Sequence, residues 1–325
     1  MSMSEKHLAV VLAAACNAGK SSIVIHIINL FLKSNPSLKV IIFAHNQNIL
    51  RDQMLEGFSS GFVKPDFTFG EFGSNSQVEV GIPSSRAKIK ACDLLVIDEA
   101  HQYVGCAMVN SVLAKFNPKY KVFMTGSHGC YNKANQDAGY NLYGIHYISG
   151  HELAEKDVYS DVVVDAIEGG TNVIQNYTKA IAKLKSDNRF DDKKLMIACK
   201  TVNDAYILGI YVKRLGRKIA ISTSGNDTDN IQIKRFKSGE ADTLIVVNKG
   251  ILGFSDDMVT GLIDLKGSKD LDSKNQLFGR ILRKHPESIK KFYISVVSKK
   301  ELSNEIKLLY SVVGLMNPEI FKTYI

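Results

Sequence analysis

The strongest constraint on this chain is an alternation of short apolar runs with longer amphipathic stretches. LAVVLAA (8–14), KVIIFA (39–44), DLLVID (93–98) and YKVFMTG (120–126) are continuous, brief and bounded by polar or glycine residues. That is how strands buried on both faces of a parallel sheet read. SSIVIHIINLFLKS (21–34) and NILRDQMLEGF (48–58) lie between them and carry a helical period. The expected class is therefore α/β, with helices on both faces of a mainly parallel sheet. The pattern then repeats in KLMIACK (194–200), RKIAIST (217–223), DTLIVVN (242–248), TGLIDLK (260–266) and KKFYISV (290–296). VNDAYILGIYVKRLG (202–216) and DNIQIKRFKSG (229–239) are the helices between these strands. A length of 325 residues accommodates two domains. Paired glycines in EGGTN (168–172) break the period and place the expected boundary there, giving domains 1–168 and 169–325. Two α/β halves of similar size predict a ligand cleft between them.

Composition narrows the setting. The five cysteines (Cys16, Cys92, Cys106, Cys130, Cys199) form no C-x-x-C pair, and the histidines show no metal-ligand spacing. This argues against a disulfide framework or a zinc site and suits a reducing, cytoplasmic compartment. The first twenty residues superficially resemble a secretory signal. Their apolar run, however, leads straight into Gly19-Lys20-Ser21, which cleavage would destroy, so the chain is expected not to be secreted. No apolar run is long enough to span a bilayer, and no membrane partner is expected. The formal net charge of +8 fits either an ordinary basic surface or a polyanionic partner. FKSGEAD (236–242) and RKHPESIKK (283–291) read as charge-rich, solvated surface.

Three motifs carry chemistry. AACNAGKSS (14–22) follows a strand and opens a helix, the context of a phosphate-binding loop. Ala18, Gly19, Lys20, Ser21 and Ser22 are its candidate nucleotide contacts, with Lys20 for the β/γ phosphates and Ser21 for Mg²⁺. A plain strand–turn–helix is the competing reading, since Ala14 stands where the pattern has its first glycine. DLLVIDEAH (93–101) ends a buried strand in Asp98-Glu99, where α/β sheets place ligands. Asp98 is suited to hold Mg²⁺ and Glu99 to orient and deprotonate water; a helix-capping acid pair is the alternative. QLFGRILRK (276–284) contains Gln276, Gly279, Arg280 and Arg283 as Q-x-x-G-R-x-x-R. Read as a helix, its i,i+3 spacing would aim both guanidinium groups at one anion; taken alone, the motif reads sooner as a solvated basic face.

In this order across two α/β halves, the three motifs resemble those of a superfamily 2 helicase of the DEAD/DEAH, type III restriction-like kind. Weaker likenesses run along nearly the whole chain. IIFAHNQNILRDQ (41–53) resembles motif Ia, GIPSSR (81–86) motif Ib, MTGS (124–127) motif III and LIVVNKGILGFSDD (244–257) motif V. YGIHYISGHELAEKDVYSD (143–161) resembles the passage that ends the first domain.

The resemblance implies two RecA-like domains, ATP and Mg²⁺ in the cleft between them, and a nucleic-acid strand across both. DNA is the favoured strand, through a loose likeness to phage helicases that remodel DNA branches, and RNA is the alternative. It also implies that Gln276, Arg280 and Arg283 meet the γ-phosphate and that His101 and Thr125 couple nucleotide to nucleic acid. Ser84, Ser85, Lys200, Thr201, Thr223 and Asn248 fall where the family grips the strand. Four departures stand out. Cys16 and Asn17 replace the usual Thr and Gly, Ser255 replaces an Asp in motif V with Asp256 one place late, and the upstream adenine-reading Gln is missing. The last implies weak base selectivity, or a partner protein supplying N-terminal or accessory elements. The departures keep a second reading open, a nucleotide-gated clamp that binds without unwinding.

Overall fold

The computed structural model describes residues 8–15, 18–44, 48–61, 63–100, 103, 106–126, 144–223, 225–227, 230–247, 256–267 and 271–316. The chain divides into two compact units, Met1–Ser149 and Gly150–Ile325.

The first unit runs β1 (Leu8–Ala14), α1 (Lys20–Ser34), β2 (Val40–Phe43), α2 (Asn48–Ser60), β3 (Phe69–Glu71) and β4 (Val78–Gly81). A 3₁₀ turn (Pro83–Lys88), β5 (Leu94–Ile97), α3 (Ala107–Phe116), β6 (Tyr120–Thr125) and β7 (Gly144–Ile148) follow. All neighbours in the sheet are parallel, in the order β3-β4-β2-β5-β6-β1-β7. Successive residues of a strand point to opposite faces, and the sequence uses both. Val40, Ile42 and Val96 pack with Val24, Ile25 and Ile28 of α1 and with Met54 and Phe58 of α2. Ile41, Phe43, Leu95, Ile97 and Phe123 pack with Val109 and Val112 of α3 on the other side. Continuous apolar strands are thus the consequence of a sheet covered on both faces.

The second unit comprises α4 (Gly150–Glu155), β8 (Val162–Gly169), α5 (Val173–Lys185), β9 (Leu195–Ala198), α6 (Val202–Arg214) and β10 (Ile219–Thr223). It continues with α7 (Ile231–Lys237), β11 (Thr243–Val247), β12 (Gly261–Asp264), α8 (Leu271–Phe278), β13 (Lys291–Ser298) and α9 (Lys299–Met316). Its sheet is also parallel throughout, ordered β10-β11-β9-β12-β13-β8. Ile197, Ile245, Ile263 and Ile294 meet Tyr177, Ala180 and Leu184 of α5 and Ala205, Leu208 and Val212 of α6.

Two expectations change here. The division falls after Ser149, not at residue 168. β8 pairs with β13 along its whole length, from Val162 opposite Lys291 to Gly169 opposite Ser298, so it belongs to the second sheet. The glycines of EGGTN mark only the β8–α5 turn, where the Asn172 side chain caps α5 by accepting from the Ile174 and Gln175 amides. Nor is 283–291 solvated throughout, because His285 and Lys291 are buried. The Lys291 ammonium donates to the Asp257 carbonyl at 2.7 Å, a partner that no charge pattern announces. Among the described residues, no helix is long and apolar enough to cross a membrane.

Candidate nucleotide-binding site

The first motif closes on the carboxyl edge of the first sheet. Gly19 caps α1 in the left-handed region, with φ 75, and no side chain fills the cap. A β-carbon placed on Gly19 would meet nothing within 4 Å, so the backbone there faces open space. No acidic residue stands in the first turn of α1, which leaves its N–H groups and positive dipole end available to an anion. Lys20 folds back over the loop and its Nζ donates to the Ala14 carbonyl at 3.3 Å. Ser21 is exposed, and Ala18 and Ser22 are half-buried beside it.

Two neighbouring strands bring the other groups to the same edge. β1 lies beside β6 with Ala13 opposite Thr125, so Gly126 arrives next to the loop. A β-carbon on Gly126 would sit 3.8 Å from the Ala14 carbonyl oxygen and 3.9 Å from Lys20 Nζ. Both are ordinary contact distances, so Gly126 lies against the loop and Lys20, a nearness the sequence does not reveal because it depends on which strands are neighbours. β5 lies beside β6 and delivers Asp98, whose amide donates to the Phe43 carbonyl at 2.9 Å. Asp98 Oδ1 accepts the Glu99 amide at 3.0 Å, and Glu99 takes the left-handed conformation with φ 49. Burial and then the neighbouring Glu99 push the Asp98 carboxyl up to about 6, while Lys20 opposes the rise. A half-buried carboxyl beside a second acid, with one lysine in electrostatic reach and the Ser21 hydroxyl on the adjoining helix, is a hard-oxygen donor set that fits Mg²⁺. Thr125 is fully buried at the end of β6. His101, Cys16 and Asn17 lie outside the described residues.

In the second unit the arginine motif departs from its expected form. Gln276 lies on α8, half-buried, but the helix ends at Phe278. The Gly279 amide donates to Asn275 O at 2.8 Å, then Arg280 to Leu277 O at 3.1 Å and Ile281 to Phe278 O at 3.0 Å as the chain tightens into a turn. Arg283 sits in an antiparallel bridge with Tyr159, and its carbonyl accepts Ser160 Oγ at 2.9 Å. Burial of Ile281 and Leu282 pulls the segment off the helical path. Helical i,i+3 spacing therefore does not order the two arginines. Asp257 and Asp256 act electrostatically on Arg283. Asp256 is itself committed, pairing with Lys194 at 2.6 Å and accepting the Met258 amide at 3.0 Å. Its late position in motif V thus has a structural use. Ser255 and the rest of 248–255, including Asn248, lie outside the described residues.

Of the candidate strand contacts, Ser84, Ser85, Lys200 and Thr201 follow strand ends, whereas Thr223 is the last residue of β10. Ser84 is exposed and Ser85 half-buried in the 3₁₀ turn after β4. Lys200 is exposed after β9, while Thr201 caps α6 by accepting the Asp204 amide at 3.0 Å. Thr223 is buried, and its amide and hydroxyl both donate to Asn226 Oδ1, at 2.8 and 2.9 Å.

Residues 1–128 match the family described as type III restriction enzyme, res subunit. No curated protein matches the chain. Among solved structures, S. cerevisiae Dbp5 bound to RNA and ADP BeF3 superposes with a TM-score of 0.69 at 15% identity, over 95% of this chain and 83% of that one. A variant of Dbp5 in the same bound state gives 0.70 at 16% identity, over the same shares. The Pyrococcus furiosus Hef helicase domain gives 0.55 at 12% identity, over 94% of this chain and 95% of that one. At such identities the likeness is one of fold. The fold is that of two RecA-like domains, each a parallel sheet flanked by helices, and the family match lies in the first of them.

Proposed function

We propose that this chain is an ATP-dependent nucleic-acid motor, with DNA the expected strand and RNA the alternative. The observation that carries the proposal is the convergence of Lys20, Asp98 and Gly126 on one sheet edge beside the uncapped N-terminus of α1. The α1 amides and Lys20 bind the phosphates. Ser21 and Asp98 would hold Mg²⁺, which would neutralise phosphate charge. Glu99 orients the attacking water and takes its proton. Gln276, Arg280 and Arg283, carried by the second unit, meet the γ-phosphate when the units close, and their charge offsets what develops on the transferring group. His101 and Thr125 link that event to the strand. Reopening after hydrolysis shifts one unit against the other along the sugar–phosphate backbone, so binding is largely indifferent to sequence. The strand contacts proposed are Ser84, Ser85, Lys200, Thr201, Thr223 and Asn248. Thr201 and Thr223 are the costliest of these to use, since their hydroxyls already serve the fold.

The test is ATP turnover against single-stranded, duplex and branched DNA and RNA at one stated salt concentration, with strand displacement measured in parallel. Stimulated turnover with displacement is the expected result. Tight ATP-dependent binding without turnover or displacement would point to the clamp instead, and turnover indifferent to every nucleic acid would remove the nucleic-acid reading.

A further inference from the structure

The second unit buries a lysine ammonium completely, and the lysine is on the arginine motif's own helix. Lys274 lies on α8 two residues before Gln276 and is 0% exposed, as are Asp264 and Tyr293, while Glu305 is 3% exposed. Lys274 Nζ donates to Asp264 Oδ2 at 2.6 Å, to the Glu305 carboxylate and, at 3.5 Å, to Tyr293 Oη. Tyr293 Oη donates to the same Asp264 oxygen at 2.8 Å. The other Asp264 oxygen accepts the Lys266 and Gly267 amides at 2.9 and 3.3 Å. One ammonium thereby ties α8 to the carboxyl end of β12, to β13 and to the C-terminal helix α9.

Stability alone does not call for such a set. Each buried ion loses several kcal/mol of hydration, and well-packed apolar residues in place of a buried pair commonly hold a protein as firmly or more so. In some proteins a buried ion group supplies register instead. α8 has eight residues, too few to persist without tertiary anchors. Leu277 and Phe278 are its buried apolar anchors, and they share a face with Lys274 through i,i+3 and i,i+4 spacing. Apolar contacts tolerate small slides and rotations. An ammonium that must meet two carboxylates and a phenol at one point does not.

We infer that Asp264, Lys274 and Glu305 are positioning residues for the arginine motif: they set the depth and rotation of α8, and so where Gln276 and Arg280 stand, and they make α9 part of that support. This rests on the ATPase reading above. The test compares wild type, the neutral triple variant Asp264→Asn/Lys274→Met/Glu305→Met, the single variant Glu305→Gln, and Leu309→Ala. The last removes a buried apolar contact from α9 and leaves the ion group alone. Tm, kcat and the Kd of a non-hydrolysable ATP analogue are measured for each, with kcat taken well below every Tm.

The triple variant should keep or exceed the wild-type Tm yet lose kcat by about 10- to 100-fold, the cost of a small misplacement of a reacting group. Its analogue Kd should be unchanged, because the loop at Lys20 is untouched. Glu305→Gln should show a smaller loss of kcat in the same direction, and is the decisive variant if the triple does not fold. Leu309→Ala should lower Tm and keep kcat. Wild-type kcat in the folded triple or in Glu305→Gln would overturn the inference, as would an equal loss of kcat in Leu309→Ala. A wild-type protein without turnover would instead overturn the ATPase reading and this inference with it.

Discussion

Asp98 carries a cost that its proposed job explains. The group would ordinarily titrate near 3.8, and burial beside Glu99 raises it to about 6. Between those values the folded state holds a proton that the unfolded chain has released. Stability therefore falls as pH rises from about 4 to about 6, and the penalty is fully present above that. Asp98→Asn removes the penalty and keeps an oxygen for the Glu99 amide. Without Mg²⁺ and nucleotide, the variant should melt higher than wild type at pH 8, by about 2–4 °C for each kcal/mol relieved. The difference should vanish below about pH 4, where wild-type Asp98 is protonated in both states. Thermal melts across pH would show it, and an equal or lower Tm at pH 8 would speak against a desolvated, ionised Asp98. The place of Asp98 just past a strand end was legible in the sequence, because it closes a continuous apolar run. The nearness of Gly126 to Lys20 was not, since it exists only once β1 and β6 are neighbours. Lys291 was misread as solvated for a similar reason: burial pushes its ammonium down to about 8, with Asp257 and Asp256 opposing, and those partners lie more than thirty residues away in sequence.

At the scale of elements, legibility followed apolar continuity and not length. The four-residue β2, β5, β9 and β12 were plain, whereas β8, with eight residues interrupted by Asp165 and Glu168, was not. β3 has three residues and β4 four, and β4 contains Glu79, whose buried carboxylate accepts the Gly73 and Asn75 amides at 2.8 and 2.9 Å. A charge in the middle of a short run hides a strand. The arginine motif misled in the opposite way, because helical spacing continues in the sequence past the point where Gly279 and the buried Ile281–Leu282 pair end the helix. Thr201 gives a simple check on an element end. Its side chain caps α6, so Thr201→Ala should destabilise the protein by about 1 kcal/mol in urea unfolding. A strand contact at Thr201 would add a loss of nucleic-acid affinity at fixed salt; an unchanged affinity would leave the residue a cap alone.

For the whole molecule, the division into units was expected from the repeat, but its position was not. β8 pairs with β13 at eight positions, and a glycine pair at the far end of β8 was taken for the boundary. This predicts that residues 150–325 give a cooperative unfolding transition when expressed alone, whereas 169–325, which strips β8 from the edge of the sheet, does not. Circular dichroism melts of the two fragments would distinguish them. The net charge of +8 suits a polyanionic partner, and affinity for such a partner should fall steeply with salt.

The most direct measurement of the central claim is ATP turnover, with and without nucleic acid, in wild type, Lys20→Ala and Glu99→Gln, alongside the Kd of an ATP analogue. The account predicts nucleic-acid-stimulated turnover in wild type and its abolition in both variants. Glu99→Gln should still bind the analogue and Lys20→Ala should bind it poorly, because one residue acts on the water and the other on the phosphates. Wild-type turnover in either variant would contradict the assignment of this edge of the first sheet as the site of hydrolysis.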